Sequence, residues 1–417
     1  MKALTLDTET HLIEPDNKAP KMVSLATKLE GHETQLIHAK DPNTPDTIDA
    51  LFKVEGVILN GHNIPYDFGV LVNHRPQIME AIFDKYRKDE VWDTGIADKL
   101  AHIGAGWMKG RPDGEFPKFN LAAVARRTLG ITVEGKEGAD AWRLRYSELD
   151  DIPVKDWPNA ASHYAITDVD VTHDIFKHQY PKKSYLATID IQLRSNWALH
   201  LMSCWGLTVD QEAVDTLKIS LDNEIGESMD MFKEMGIYRS NGVRNMAVIK
   251  DLVEESYEVL GKTVPRTKTG PSTAMRTLVE SGDPILIKLA KLSSVQKLKN
   301  TFIPVLELGT GGRSIHPNYD TLKETGRCSS YGPNIQQLPR KGGVRECFIP
   351  RKGMVFVAAD YDCAELCSLA QVLLKLFGTS KMADALNAGK DLHIQTASAI
   401  MGISYDDCLR RYREGDK

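Results

Sequence analysis

Four short strand-like runs come before any long helical pattern, and they constrain the fold most. Ala3–Leu6, Met22–Thr27, Thr34–Ala39 and Val57–Leu59 are rich in strand formers and separated by turn-forming residues. Later, Leu121, Val124, Ala125 and Leu129 recur at helical spacing and stop at Gly130, and a second helix is predicted from His163 to Phe176. Strands first, then helices alternating with strands, predict an α/β domain ending near residue 185.

From Leu186 to Leu308 the pattern turns helical. Leu193, Trp197, Leu201 and Met202 fall on one face, as do Ile285, Leu289 and Leu292, and Gly261 to Pro271 reads as a basic loop with turn residues at both ends. Beyond Gly309 a glycine-rich turn leads to a polar, basic stretch. Met354–Ala359 then forms an almost continuous apolar run, which predicts a buried central strand. Leu366, Leu369, Ala370, Leu373, Leu374 and Phe377 mark an amphipathic helix that stops at Gly378. The expected domains are therefore 1–185, 186–308 and 309–417, in keeping with two or three domains for 417 residues.

Hydrophobic residues make up 42% and charged residues 26%, ordinary for a soluble protein, and no apolar run reaches membrane-spanning length. Met1-Lys2-Ala3 runs directly into strand pattern, so no targeting peptide is visible and a cytoplasmic location is expected. The six cysteines lack C-x-x-C spacing and read as reduced thiols. A net charge of −5 argues mildly against nucleic acid, but its distribution is uneven. Seven Lys/Arg face two acids between Thr321 and Lys352, and four lysines with no acid lie between Ile285 and Lys299. Such stretches suit a phosphate backbone and equally suit a solvated surface.

The acids are the chemically informative residues. Asp7-Thr8-Glu9 ends the first strand pattern, and strand alternation puts both carboxylates on one side. His62-Asn63-Ile64-Pro65-Tyr66-Asp67 follows the strand Val57–Leu59 directly, and Tyr164 and Asp168 stand one helical turn apart. In this order the three pieces resemble the motifs of the DEDD superfamily of 3′–5′ exonucleases, which implies an RNase H-like domain. The resemblance implies two divalent ions, Mg²⁺ or Mn²⁺, held by Asp7, Glu9, Asp67 and Asp168, with Tyr164 orienting the attacking water. His163, five residues before Asp168, also matches the histidine subgroup of that superfamily; the polymerase-like remainder of the chain favours Tyr164.

The second half carries a longer ordered match. Thr325 to Asn334 with Gln336 and Pro339, Arg345 to Pro350, Asp360-Tyr-Asp-Cys-Ala-Glu-Leu366 and Asp391-Leu-His393 resemble the first half of the palm of family A DNA polymerases, relatives of bacterial polymerase I and of phage replicative enzymes. Gly206 to Asp210, Ser272-Thr273 and Lys297-Leu-Lys299 are similar to elements of the helical thumb. The resemblance therefore implies an exonuclease domain, a helical thumb and a partial α+β palm. Asp360 would bind the catalytic metals, two ions per site. Tyr361, Glu365 and His393 would meet the deoxynucleoside triphosphate. Asn63, Arg327, Gln336, Lys297, Lys299 and the loop Lys262 to Lys268 would contact primer–template DNA.

Three departures qualify that expectation. Cys367 stands where the family has an arginine, with Asp362 and Cys363 also atypical; no 5′-nuclease domain precedes the exonuclease; and no fingers helix or second palm aspartate follows Asp360. One metal carboxylate does not position two metals, so the expectation is a chain that polymerises only with a further polypeptide carrying the fingers and remaining palm. A competing expectation is a stand-alone 3′–5′ exonuclease whose degenerate palm only binds DNA. A non-catalytic DNA-binding factor is a third reading, against which the acids weigh.

Overall fold

In the computed structural model, which describes residues 2–109, 116–133 and 141–415, the early strands assemble into one five-stranded sheet. Its order is β3-β2-β1-β4-β5. Strand β1 (Lys2–Thr10) pairs antiparallel with β2 (Met22–Leu29) and parallel with β4 (Val57–Gly61), while β3 (Gln35–His38) and β5 (Val91–Asp93) lie at the two ends. Helices α1 (Thr44–Lys53), α2 (Ile64–His74) and α3 (Met79–Arg87) intervene before β5. After it come α4 (Thr94–Gly104), α5 (Leu121–Leu129), α6 (Asn159–Gln179) and α7 (Ile189–Trp205). Gly130 ends α5 in the left-handed region at φ 71°, a conformation glycine adopts without a Cβ clash.

The register of β1 sets up the site. Thr5, Asp7 and Glu9 alternate onto one face, and the pairing with β2 is irregular just after Glu9. Helix α6 is pinned across this strand by polar contacts. The His173 Nδ1 and Thr5 Oγ1 atoms are 2.8 Å apart, and the Asn60 amide donates to both Thr5 Oγ1 and the Thr172 carbonyl. Lys28 and Thr34 both donate to Asp170 on the same helix.

Helix α7 buries Ile189, Leu193 and Trp197 in the same core as the sheet, with Leu201 packed against it. Met202, expected on that face, is 52% exposed; a side chain one residue past Leu201 is rotated by about 100° and leaves the interface. Trp197 stacks on Tyr86 and meets Phe68 edge-on. The helices approach closely at Gly69, where a Cβ would sit 2.4 Å from His200 Nε2.

The helical region follows. Strand β6 (Thr208–Val209) leads into α8 (Gln211–Glu234), α9 (Met246–Val259), α10 (Met275–Glu280) and the long α11 (Pro284–Glu307). Their core is built on Phe232, Ile249, Val253, Leu286 and Leu289, and Leu292 is buried with them. The basic loop is a small hairpin of β7 (Arg266–Thr267) and β8 (Gly270–Pro271). Residues beyond 309 fold back on this region. Hairpin β9 (Asn318–Asp320) and β10 (Ser329–Tyr331) packs near α7, and β11 (Phe348–Ile349) pairs with β6.

Residues Met1–Gly353 and Met354–Lys417 form separate compact units. The second holds α12 (Ala364–Phe377), α13 (Lys381–Asn387), α14 (Leu392–Met401) and α15 (Tyr405–Arg413). Helix α12 ends at Gly378 as its pattern predicts. The buried strand expected at Met354–Ala359 does not form. Val355 is 79% and Val357 86% exposed, and no strand among the described residues pairs with this run. Apolar content favours a strand only when a neighbouring strand takes up its backbone N–H and C=O groups.

Candidate active site

Strand β1 delivers Asp7 and Glu9, and α6, pinned across it, delivers Asp168. One ligand oxygen from each lies within 4.8 Å of the other two, and Glu9 and Asp168 are buried. Three carboxylates at that range repel one another unless a cation or proton intervenes. An all-oxygen set of this kind suits a hard divalent cation, whose bonds of about 2.0–2.6 Å allow ligand separations of that size.

Asp67 stands beside this group without joining it. Its Oδ1 accepts from the Thr8 backbone N–H at 2.8 Å and the Thr8 hydroxyl at 2.7 Å, so it is tied to the residue between Asp7 and Glu9. The expected fourfold convergence is thus threefold here. Burial pushes the Asp67 carboxyl up to about 7, against the opposing pull of the Thr8 bonds, and nearby Asp93 adds to the rise.

Asp93, which the sequence reading missed, sets the position of α2. Its Oδ1 accepts from Gly95 N and Ile96 N at the start of α4, and its Oδ2 from Ile64 N at the start of α2. One buried carboxylate therefore caps two helices, and burial raises its pKa despite those bonds. The available signal was an Asp directly before an apolar helical pattern. Asn63, just before α2, adopts φ 63° and is exposed.

Tyrosines ring the acids. Tyr164 is half-buried, and its phenol is held well above its usual range by burial and then by Asp168, Glu9 and Asp7, with Arg143 opposing. His163, one residue earlier, is exposed and lies 3.5 Å from Thr167 Oγ1. Tyr146 is buried, donates to the Ala161 carbonyl at 2.8 Å, and is raised by burial and by the same acids. Tyr66 shares a 2.7 Å hydrogen bond with Thr10 and is raised by burial, then by Asp67, Asp7 and Glu9. Tyr146 was invisible in sequence because it sits in a short 3₁₀ turn, where no periodicity marks a face.

The polymerase-like residues are arranged differently. Asp360, Tyr361, Glu365 and His393 are all exposed, Tyr361 to 88%. Glu365 lies in the first turn of α12 and His393 in that of α14. The Cys363 thiol is raised by its hydrogen bond to Asp362 and by further contributions that include Asp391, which caps α14. In the first unit, Arg327 and Lys297 are exposed and Lys299 pairs with Asp222. The Gln336 side chain is spent locally, accepting from Ser330 N and donating to Cys328 Sγ. Not every cation between 321 and 352 serves an outward face. Arg345 donates to the Leu338 carbonyl, and Arg351 stacks over Trp205 while bonding Gly206 and Ser314.

Fold and site together define the class first: an α/β domain with a nuclease-type carboxylate centre, followed by a helical region. The comparisons then supply the family. Residues 1–180 match the 3′-5′ exonuclease family and residues 216–417 match DNA polymerase family A. DNA polymerase I of Pseudomonas aeruginosa is 26% identical over 444 residues, covering 99% of this chain and 45% of that protein. The thermostable DNA polymerase I of Thermus caldophilus is 28% identical over 269 residues, covering 61% of this chain and 32% of the relative. The POL domain of Pol1 from M. smegmatis, solved in complex with DNA primer-template and dNTP, superposes with a TM-score of 0.66 at 18% identity, covering 99% of this chain and 66% of that one. DNA polymerase family A thus matches this chain over residues 216–417 and the 3′-5′ exonuclease family over residues 1–180, and the chain spans less than half the length of the two polymerase I relatives. The polymerase match over residues 216–417 weighs against the stand-alone exonuclease reading.

Proposed function

We propose that this chain belongs to a replicative, proofreading DNA polymerase of phage type, whose acid site trims DNA primer ends from the 3′ side. The observation that carries this reading is the convergence of Asp7, Glu9 and Asp168 beside half-buried Tyr164 in a chain of this family. Those three residues would hold a divalent cation, Mg²⁺ or Mn²⁺, with Asp67 alongside and two ions to each active centre. When bound, such ions supply Lewis-acid stabilisation of phosphate charge and acidify water.

The chain's own groups do the rest. The Tyr164 phenol stays protonated at neutral pH, so it can donate a hydrogen bond that orients the attacking water. Exposed Asn63, held in a left-handed conformation before α2, would meet the single-stranded end. Water attacks the terminal phosphorus as its bond to the penultimate 3′-oxygen breaks; that oxygen takes up a proton to become the new 3′-hydroxyl, and the terminal nucleotide is released as a nucleoside monophosphate.

In the second unit Asp360 would hold the polymerase metals, and Tyr361, Glu365 and His393 would meet the incoming deoxynucleoside triphosphate. Arg327, Lys297, Lys299 and, through its backbone turn, Gln336 would follow primer–template DNA. The unpaired apolar run Met354–Ala359 supports a requirement for further polypeptide to pair with it before extension occurs. No helix among the described residues is long and apolar enough to cross a membrane, and none of the six cysteines forms a disulfide. Both fit action in a cytoplasm, that of the host for a phage-encoded enzyme.

The test uses the purified chain on a 5′-labelled primer–template with Mg²⁺, with and without deoxynucleotides. Shortening under both conditions is expected. An unchanged primer overturns the trimming assignment, and extension overturns the need for a further polypeptide.

A further inference from the structure

Away from the acids, the first unit contains a cavity of ≈ 350 Å³ whose walls come from α4, α5, the end of α6 and the turn that follows it. It lies within the size range of small-molecule sites, about 300–1,000 Å³. Its charge is one-sided. Arg127, His178 and Lys182 line it, and Lys182 Nζ reaches to within 2.9 Å of His178 Nε2, so two nitrogens converge on one point of the rim. The sole acid of the lining, Asp98, is buried and already bonded by Arg127 Nη2 at 2.5 Å. Lys182 is therefore the exposed cation of the lining, and no lining residue offers an exposed carboxylate beside it.

The remaining wall is aromatic and aliphatic. Trp107 is 39% and Tyr185 85% exposed, and both face the same cavity, which suits a planar ring system. Behind the rim, His102 donates from Nδ1 to the Asp98 carbonyl, which leaves its buried Nε2 without a hydrogen-bond partner among the described residues. Arg127 Nε is likewise buried and one bond short.

The carboxyl end of α6 repels anions through its dipole, and the lysines that follow it offset this. His178 lies ten residues beyond Asp168 on the same helix, about 15 Å along its axis. The cavity is thus separate from the carboxylate centre.

We infer that this cavity binds a free nucleoside monophosphate, its phosphate between Lys182 and His178 and its base against Trp107 and Tyr185. The inference does not depend on trimming activity. On that reading, however, the ligand is the chemical class that the acid site releases.

The experiment is calorimetric titration of the full chain with deoxyadenosine monophosphate in EDTA, which silences any metal-dependent binding at the acids, with Trp fluorescence as a second readout. Saturable binding is expected, weakened roughly tenfold or more by Lys182→Glu and by Trp107→Ala and unchanged by Asp7→Ala. Lys182 is exposed, so its variant should fold, and circular dichroism checks this. Deoxyadenosine alone and inorganic phosphate alone should each bind at least roughly tenfold more weakly. Absence of binding in EDTA overturns the inference, as does binding that survives both cavity variants. Equal binding of phosphate alone overturns the assignment of a nucleotide. Exonuclease activity can persist under every one of these outcomes, so the two readings fail separately.

Discussion

Asp7 and Asp360 hold the same kind of position, a carboxylate at the end of an apolar, strand-like run, yet their surroundings are opposite. The run before Asp7 is paired on both sides, by β2 and β4, and a helix pinned across it brings Asp168 to meet the strand-end acids. The run before Asp360 pairs with nothing among the described residues, its valines are open to solvent, and Asp360 is exposed with them. A strand-end carboxylate becomes a centre only when the sheet on either side fixes its direction and a second element closes over it.

The largest test of this contrast is functional. Asp168→Ala should lower 3′ trimming of a labelled strand by roughly 10³-fold, because it removes one of three converging ligands. Asp360→Ala should leave trimming within about twofold. A comparable loss from both would show that the regions do not act separately.

Stability should divide the same way. Trp197→Ala empties a site stacked on Tyr86 in the first core and should cost about 3–5 kcal/mol in urea unfolding. Val357→Ala, at an 86% exposed position, should stay within about 0.5 kcal/mol. A large cost at Val357 would mean that this run is covered in solution.

The first region should also carry a pH signature. Burial lowers the His200 pKa to about 4 from 6.5, so the unfolded chain takes up the proton first as pH falls. The stability is full above pH 6.5 and is lost progressively toward pH 4, by up to about 3 kcal/mol. Melts of His200→Asn between those values should be flatter than those of the parent, and parallel curves would remove His200 as the cause.

The smallest effect sharpens the site itself. Tyr164→Phe should slow trimming by about tenfold and His163→Ala by less than about twofold, since only the tyrosine faces the acids. The reverse order would assign the water-orienting role to the histidine.

How much of this was legible follows from what each pattern encodes. Strand formers bounded by turn residues located β1 to β4, and Gly130 and Gly378 marked helix ends because each adopts a left-handed conformation. The order of the acids gave the site through its resemblance to the exonuclease motifs; the strand and helix periods add that Asp7 shares a side with Glu9 and that Asp168 shares a face with Tyr164. Periodicity names a face without naming its partner, which is why α7 read as the start of a helical domain although its buried residues belong to the sheet core. The same blindness produced the strand expected at Met354–Ala359. Asp93 reaches Ile64 N and Tyr146 the Ala161 carbonyl through hydrogen bonds to backbone distant in sequence, contacts that no local spacing records.

Thr5 has one further consequence. Its hydroxyl is shared by the Asn60 amide from β4 and the His173 ring from α6, all three buried. A one-residue slip of β1 would turn Thr5 to the other side and leave both partners stranded, at about 1–3 kcal/mol each. The same slip would swing Asp7 and Glu9 away from Asp168. The trio thus works as a key for the lock of strand register: it accepts the single alignment in which the acids can meet, and it penalises misthreading before any metal or DNA arrives.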